Sequence, residues 1–188
     1  MEFRNAAAGE LPQIAALYHA AIGTPGCTWN EHYPGAFELE HDFSANNLYV
    51  LAEGETVIGA VSVVSPNELD DACAWNVTNA REIARVVISH KYAGRGLAVQ
   101  MLSWLFEKLR RDGCDAIHIS VACCNTAAIN TYKNWASHFW GKARYTAATT
   151  ICAKSGCKYL NGQHSPIPLF FDYSYPDFVK KDLQFLHF

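Results

Sequence analysis

The sequence predicts an α/β fold with a central mixed sheet flanked by helices, and three observations predict it. Helical and strand periodicities alternate along the chain rather than separating into halves. Glu82–Ile88 is rich in β-branched apolar residues, as a strand covered on both faces requires. It leads into a short loop carrying Gly94 and Gly96, after which Leu97, Met101, Leu102, Leu105, Phe106 and Leu109 recur at helical spacing as far as about Arg111. A strand feeding such a loop and helix gathers free backbone N–H groups and the positive end of a helix dipole at one point, which suits a phosphate group.

The remaining elements follow in order. Ala8–Ile22 reads as a first helix, with Leu11, Ile14, Leu17, Tyr18 and Ala21 on one face. A loop from Gly23 to Pro34 carries Trp29 and Tyr33, and a short helix is expected over Gly35–Phe43. Leu48–Ala52 and Thr56–Val64 read as strands joined through Glu53-Gly54-Glu55, a hairpin signal. Pro66–Ala80 is irregular and rich in Asn and Asp. After the central strand, loop and helix, Gly113 is a helix stop, Ala116–Ala122 another strand, and Asn125 the N-cap of a helix to about Lys133.

Composition narrows the function. A chain of 188 residues suits one domain with a full core. Charged residues are 18% of the chain, below the roughly 25% of an average soluble protein. A formal charge of −3 argues against a general nucleic-acid surface, yet leaves room for one phosphate-bearing ligand. The first residues, Met1 to Asn5, show no basic lead into an apolar run, and no apolar stretch approaches the about 18 residues of a membrane span. Seven cysteines without framework spacing suit a reducing compartment. The expected location is therefore cytoplasmic, with no membrane and no nucleic-acid partner. Cys152 and Cys157 with His164 lack a second ligand pair, so no metal is expected.

The element order, the loop Ala93-Gly94-Arg95-Gly96-Leu97-Ala98 and the later Asn125-x-x-Ala128-x-x-x-Tyr132 together resemble the GNAT superfamily of N-acetyltransferases over roughly residues 1–134. The loop pattern of that superfamily is Gln/Arg-x-x-Gly-x-Gly/Ala. Gly96 and Ala98 match its last two fixed positions, and Ala93 departs from the first. The resemblance implies an acyl-CoA N-acyltransferase fold, with acetyl-CoA as donor cosubstrate, acting by direct transfer to a primary amine. It implies CoA contacts at Ala93, Gly94, Arg95, Gly96, Leu97 and Ala98 for the pyrophosphate, at Val86, Val87 and Ile88 for the pantetheine, and at Asn125 and Ala128. Tyr132 is the expected acid for the leaving thiolate, since a phenol can protonate a thiolate that its hydroxyl faces. Glu82 is the candidate base, directly or through water, and Trp29 and Tyr33 are candidates for the acceptor pocket. Glu38, Glu40, Asp70 and Asp71 could draw in a cationic acceptor, although a solvated face explains them equally. His118, in a strand, reads as structural. The acceptor stays open among a small amine, an amino acid, an antibiotic and a protein N-terminus or lysine, and a homodimer is compatible with the sequence. A non-catalytic acyl-CoA-binding or regulatory protein is the rival class.

The resemblance stops near Asn134. Such domains continue Leu-Gly-Phe and then a closing β-hairpin, whereas here Tyr132 is followed by Lys133-Asn134-Trp135-Ala136-Ser137. Back-translation of Asn134-Trp135-Ala136 as AAY-TGG-GCN, read from the third base of the first codon, forces Leu-Gly and then permits Phe. Continuing through Gly141 forces a second Leu-Gly. Residues 135–188 are thus expected to be an atypical segment read out of frame, the closing hairpin is expected to be missing or abnormal, and the fifth strand to have an uncovered edge. The nucleotides around codons 132–135 decide the matter: an A-rich run and an open alternative frame are expected, and their absence would sink the idea.

Overall fold

The computed structural model describes residues 1–65, 79–114, 116–119, 121–122, 124–140 and 170–172. The elements are β1 (Glu2–Asn5), α1 (Leu11–Ala21), α2 (Ala36–Ser44), β2 (Leu48–Glu53), β3 (Thr56–Val64), β4 (Ala80–Ile88), α3 (Leu97–Arg111), β5 (Ala116–Ile119), α4 (Thr126–Trp140) and β6 (Phe170–Asp172). The strands form one sheet in the order β1-β2-β3-β4-β5-β6. Neighbours are antiparallel except β4 and β5, which run parallel with α3 as the crossover. The sheet is therefore mixed, as expected.

Nearly every residue of β2 and β3 is buried, because helices cover both faces. On one face Ile14 and Tyr18 of α1 and Leu39 of α2 pack on Leu48, Val50, Val57 and Ala60. On the other, α3 and α4 pack on Leu51, Val61, Val63 and Ile83. All six apolar positions predicted for α3 are buried. Each such side chain contributes about 1.5–3 kcal/mol by leaving water.

The differences from expectation have local causes. β1 is too short and too polar to signal itself. It is held by pairing with β2 and by Arg4, whose two terminal nitrogens meet the two carboxylate oxygens of Glu10 at 2.8 Å each. α4 runs past Lys133 to Trp140, because Trp135 extends the apolar stripe of Ala128 and Tyr132 and lies fully buried, edge-on to Phe106. β5 ends at Ile119, short of Ala122. The edge of β5 that was expected to stand uncovered pairs antiparallel with β6, Ile117 opposite Phe171. Most of Pro66–Ala80, with Asp70 and Asp71, lies outside the described residues, as do Cys152, Cys157 and His164.

The Arg4–Glu10 fork predicts an acid-dependent anchor. The hydrogen bond from Arg4 is the largest influence holding the Glu10 carboxyl below the usual carboxylate range. A folded-state pKa that is depressed adds stability above the unfolded value, near 4.3, and loses it as pH falls through the folded value. Glu10→Gln can still accept from the Ala7 N–H, which wild-type Glu10 does at 2.8 Å, but lacks the charge. Its melting temperature is expected a few degrees below wild type at neutral pH, with the gap closing below about pH 4. Thermal unfolding at several pH values checks this.

Candidate active site

Among the described residues, β4 and β5 pair from Ala80↔Ala116 to Ile83↔Ile119, where β5 ends. β4 continues to Ile88 with β3 alone on its other edge. β4 therefore extends past the end of β5, and the next long helix after each strand is α3 or α4. The carboxyl ends of parallel strands are where α/β sheets bind ligands.

β4 is also bulged just past its last described pair with β5. Between the pairs Ser62↔Ala84 and Ala60↔Val87 it carries one residue more than β3. Ile83, Val86 and Ile88 consequently face the α3/α4 side, and Val87 faces the α1/α2 side. A bulge leaves backbone groups out of the ladder, here around the predicted pantetheine contacts.

The loop after β4 is short and open. Ala93, Gly94, Arg95 and Gly96 are all exposed. Gly94 and Gly96 take φ of 74° and 71°, a region that costs a residue with a Cβ roughly 1 kcal/mol or more, and among the described residues, chain neighbours aside, no atom lies within 4 Å of where a Cβ would stand on either. Gly96 is the N-cap of α3 and brings no side chain to it, so the first-turn N–H groups have no side-chain cap. A bare helix start beside an open glycine loop fits a pyrophosphate. Arg95 stacks over the Tyr92 ring at 5.0 Å, and the Tyr92 hydroxyl donates to Glu53 at 2.8 Å, which ties the loop to the β2–β3 turn.

Asn125 caps α4 as expected, its Oδ1 accepting from the Ala128 N–H at 3.0 Å. Tyr132 is buried in the cluster that contains Leu97 at the start of α3, and Val86, Ile88 and Ala128 pack against the same cluster. Ala98 is half-buried in the first turn of α3. Burial pushes the Tyr132 phenol up to about 12.

The candidate acceptor residues lie across β4, on the α1/α2 side. Trp29 meets Tyr18 edge-on at 5.4 Å, and Tyr33 lies 5.6 Å from the guanidinium of Arg85. Glu82 is buried in β4, between Val64 of β3 and His118 of β5 in register, rather than exposed at a strand end. Glu38 is engaged, accepting from the Gly35 N–H at 2.8 Å at the start of α2. The loop and α4 are in close contact, since a Cβ on Gly26 would stand 2.6 Å from the Asn125 Cα.

Sequence reasoning missed a buried polar island on this side, formed by Tyr18, Asp42, Ser62 and Arg85. Its only mark in the sequence is an arginine within Ile83-Ala84-Arg85-Val86-Val87 and an aspartate three residues after Leu39 on the buried face of α2. Among the described residues, no cluster of His, Cys, Asp or Glu could hold a metal ion, and no helix is long and apolar enough to cross a membrane.

A mixed sheet whose one parallel pair is joined by a helix that starts bare beside an open glycine loop fits the architecture of an acyl-CoA N-acyltransferase. The model of the Acetyltransferase (GNAT) family matches residues 14–136, and the chain belongs to that family. Comparison with curated proteins gives no match. Among solved structures, a GNAT-family acetyltransferase from Streptococcus agalactiae is similar with a TM-score of 0.65 and 19% identity, over 90% of this chain and 92% of that one. The yncA structure from Salmonella typhimurium, solved with its cofactor acetyl-CoA, gives 0.61 and 19%, over 93% and 95%. A ribosomal-protein-alanine N-acetyltransferase from Brucella melitensis gives 0.60 and 18%, over 91% and 97%. At these identities the likeness speaks to the fold.

Proposed function

We propose that the protein transfers an acetyl group from acetyl-CoA directly to a primary amine in a ternary complex. The observation that carries the reading is the carboxyl end of β4, which runs past the end of β5 into an open glycine loop and the bare N-terminus of α3. Bound acetyl-CoA supplies a thioester carbonyl open to attack. The backbone of Ala93 to Ala98 holds the pyrophosphate, with charge from Arg95, and Asn125 and Ala128 flank it from α4. Backbone groups of Val86, Val87 and Ile88 pair with the pantetheine and polarise the carbonyl. Glu82 takes the proton that makes the amine nucleophilic, directly or through water. Tyr132 returns a proton to the thiolate that leaves, and its burial keeps the hydroxyl protonated across the neutral range.

Trp29 and Tyr33 border the acceptor. A small amine, an amino acid, an antibiotic and a protein N-terminus or lysine all fit this chemistry. The protein works in the cytoplasm, alone or as a homodimer. Residues 1–134 form the catalytic domain, and the segment from 135 onward is read out of frame.

Initial rates test the proposal. Acetyl-CoA is varied against a polyamine, an amino acid, an aminoglycoside and a peptide with a free N-terminus. Direct transfer predicts intersecting double-reciprocal lines with at least one of them. Parallel lines would mean an acetyl-enzyme and a different mechanism.

A further inference from the structure

Arg85 interrupts an otherwise apolar strand, and it does so at the bulge. Its own backbone is left-handed, with φ of 54°. That conformation disfavours any residue with a side chain, so something outside the local backbone must hold it. The candidates lie on other elements. The Arg85 Nη1 meets the Asp42 Oδ2 of α2 at 3.2 Å, with the two side chains only 3% and 2% exposed. The Tyr33 ring, from the loop before α2, covers the guanidinium at 5.6 Å. The other Asp42 oxygen has the exposed His41 at 3.6 Å, and the buried Tyr18 and Ser62 complete the island.

The same three residues of β4 that follow Arg85 are the ones whose backbone would face the acyl group. We infer that Arg85 is a positioning residue: its buried ion pair with Asp42, covered by Tyr33, holds the bulge of β4 in the shape that presents the backbone of Val86 to Ile88 to the acyl carbonyl. The clamp also couples that backbone to the loop carrying Trp29 and Tyr33, so acceptor side and donor side share one fixed point. The inference rests on the acetyl-CoA reading above.

Glycine separates a side-chain clamp from a backbone preference, since it adopts positive φ freely. The test measures the infrared carbonyl band of acetyl-CoA, labelled at its carbonyl carbon, bound to the full chain without amine, together with calorimetric affinity and kcat. For Arg85→Gly the band is expected to move toward its position in free acetyl-CoA, with affinity within about threefold and kcat down about tenfold or more. Arg85→Lys, which keeps a charge for Asp42 but not the planar fork, should recover part of both. An Arg85→Gly protein with the wild-type band and wild-type kcat would overturn the inference. Tyr33→Ala approaches the same clamp from the loop: a band displaced in the same direction supports it, and an unmoved band opposes it even if Arg85→Gly does not fold. Failure of wild-type protein to bind acetyl-CoA would instead overturn the functional reading on which the inference stands.

Discussion

Tyr132→Phe is expected to lower kcat by about two orders of magnitude while acetyl-CoA affinity stays within about threefold. The ring of Tyr132 is part of the core that joins α4 to the start of α3, and phenylalanine keeps that ring. Stability should therefore change by less than about 1.5 kcal/mol. What is removed is the hydroxyl and its proton. Because burial pushes the phenol up to about 12, wild-type Tyr132 stays protonated throughout the accessible range. Below the unfolded value near 10 both states hold the proton, and as pH rises from there through the folded value stability falls, because the unfolded chain releases the proton more readily. No fall in rate below about pH 10 should therefore trace to Tyr132. Steady-state kinetics with isothermal calorimetry checks the split. Equal turnover by the phenylalanine variant would remove Tyr132 from the mechanism.

Asp42→Ala is expected to destabilise the fold by about 3–5 kcal/mol, because it takes the carboxylate away from a buried guanidinium. For a domain of this size that corresponds to a fall in melting temperature of roughly 6–20 °C. The asymmetry of buried ion pairs gives a sharper form of the result. Removing both charges, as in Asp42→Leu with Arg85→Met, should cost less than Asp42→Ala alone, since no uncompensated charge remains. Thermal and urea unfolding of the three proteins measure this. A single variant as stable as wild type would show that the pair carries no structural weight. The double variant also bears on the bulge, because it retains hydrophobic volume while losing the clamp.

The parts of this protein legible in its sequence are those written in periodicity. β4, the glycine loop and α3 form one continuous signal, and the apolar stripe of α3 identified its buried face residue by residue. The cap at Asn125 was legible because an asparagine before a helical stripe has one common use. Other features depend on which strands meet and in what register. The extension of β4 past the end of β5 depends on a pairing between segments distant in sequence, and no spacing within either strand records that register. The bulge reverses the inward and outward faces of β4 at Arg85, yet a single arginine is its only trace. The Arg85–Asp42 pair joins α2 to β4, and neither residue alone announces a partner. β1 was missed because four residues containing a glutamate and an arginine make no strand without β2 beside them. Glu82 was placed on the right element, but its burial depends on neighbours in β3 and β5.

Release of free CoA thiol, followed in time with acetyl-CoA alone and then with each amine added, tests acetyl transfer most directly. The expected result is slow release without amine and a rate with at least one amine that rises and saturates, one acetylated amine appearing for each CoA freed. Firm binding of acetyl-CoA with no amine-dependent release, across small amines, amino acids, aminoglycosides and peptides alike, would contradict the account and favour a protein that binds acyl-CoA without turning it over.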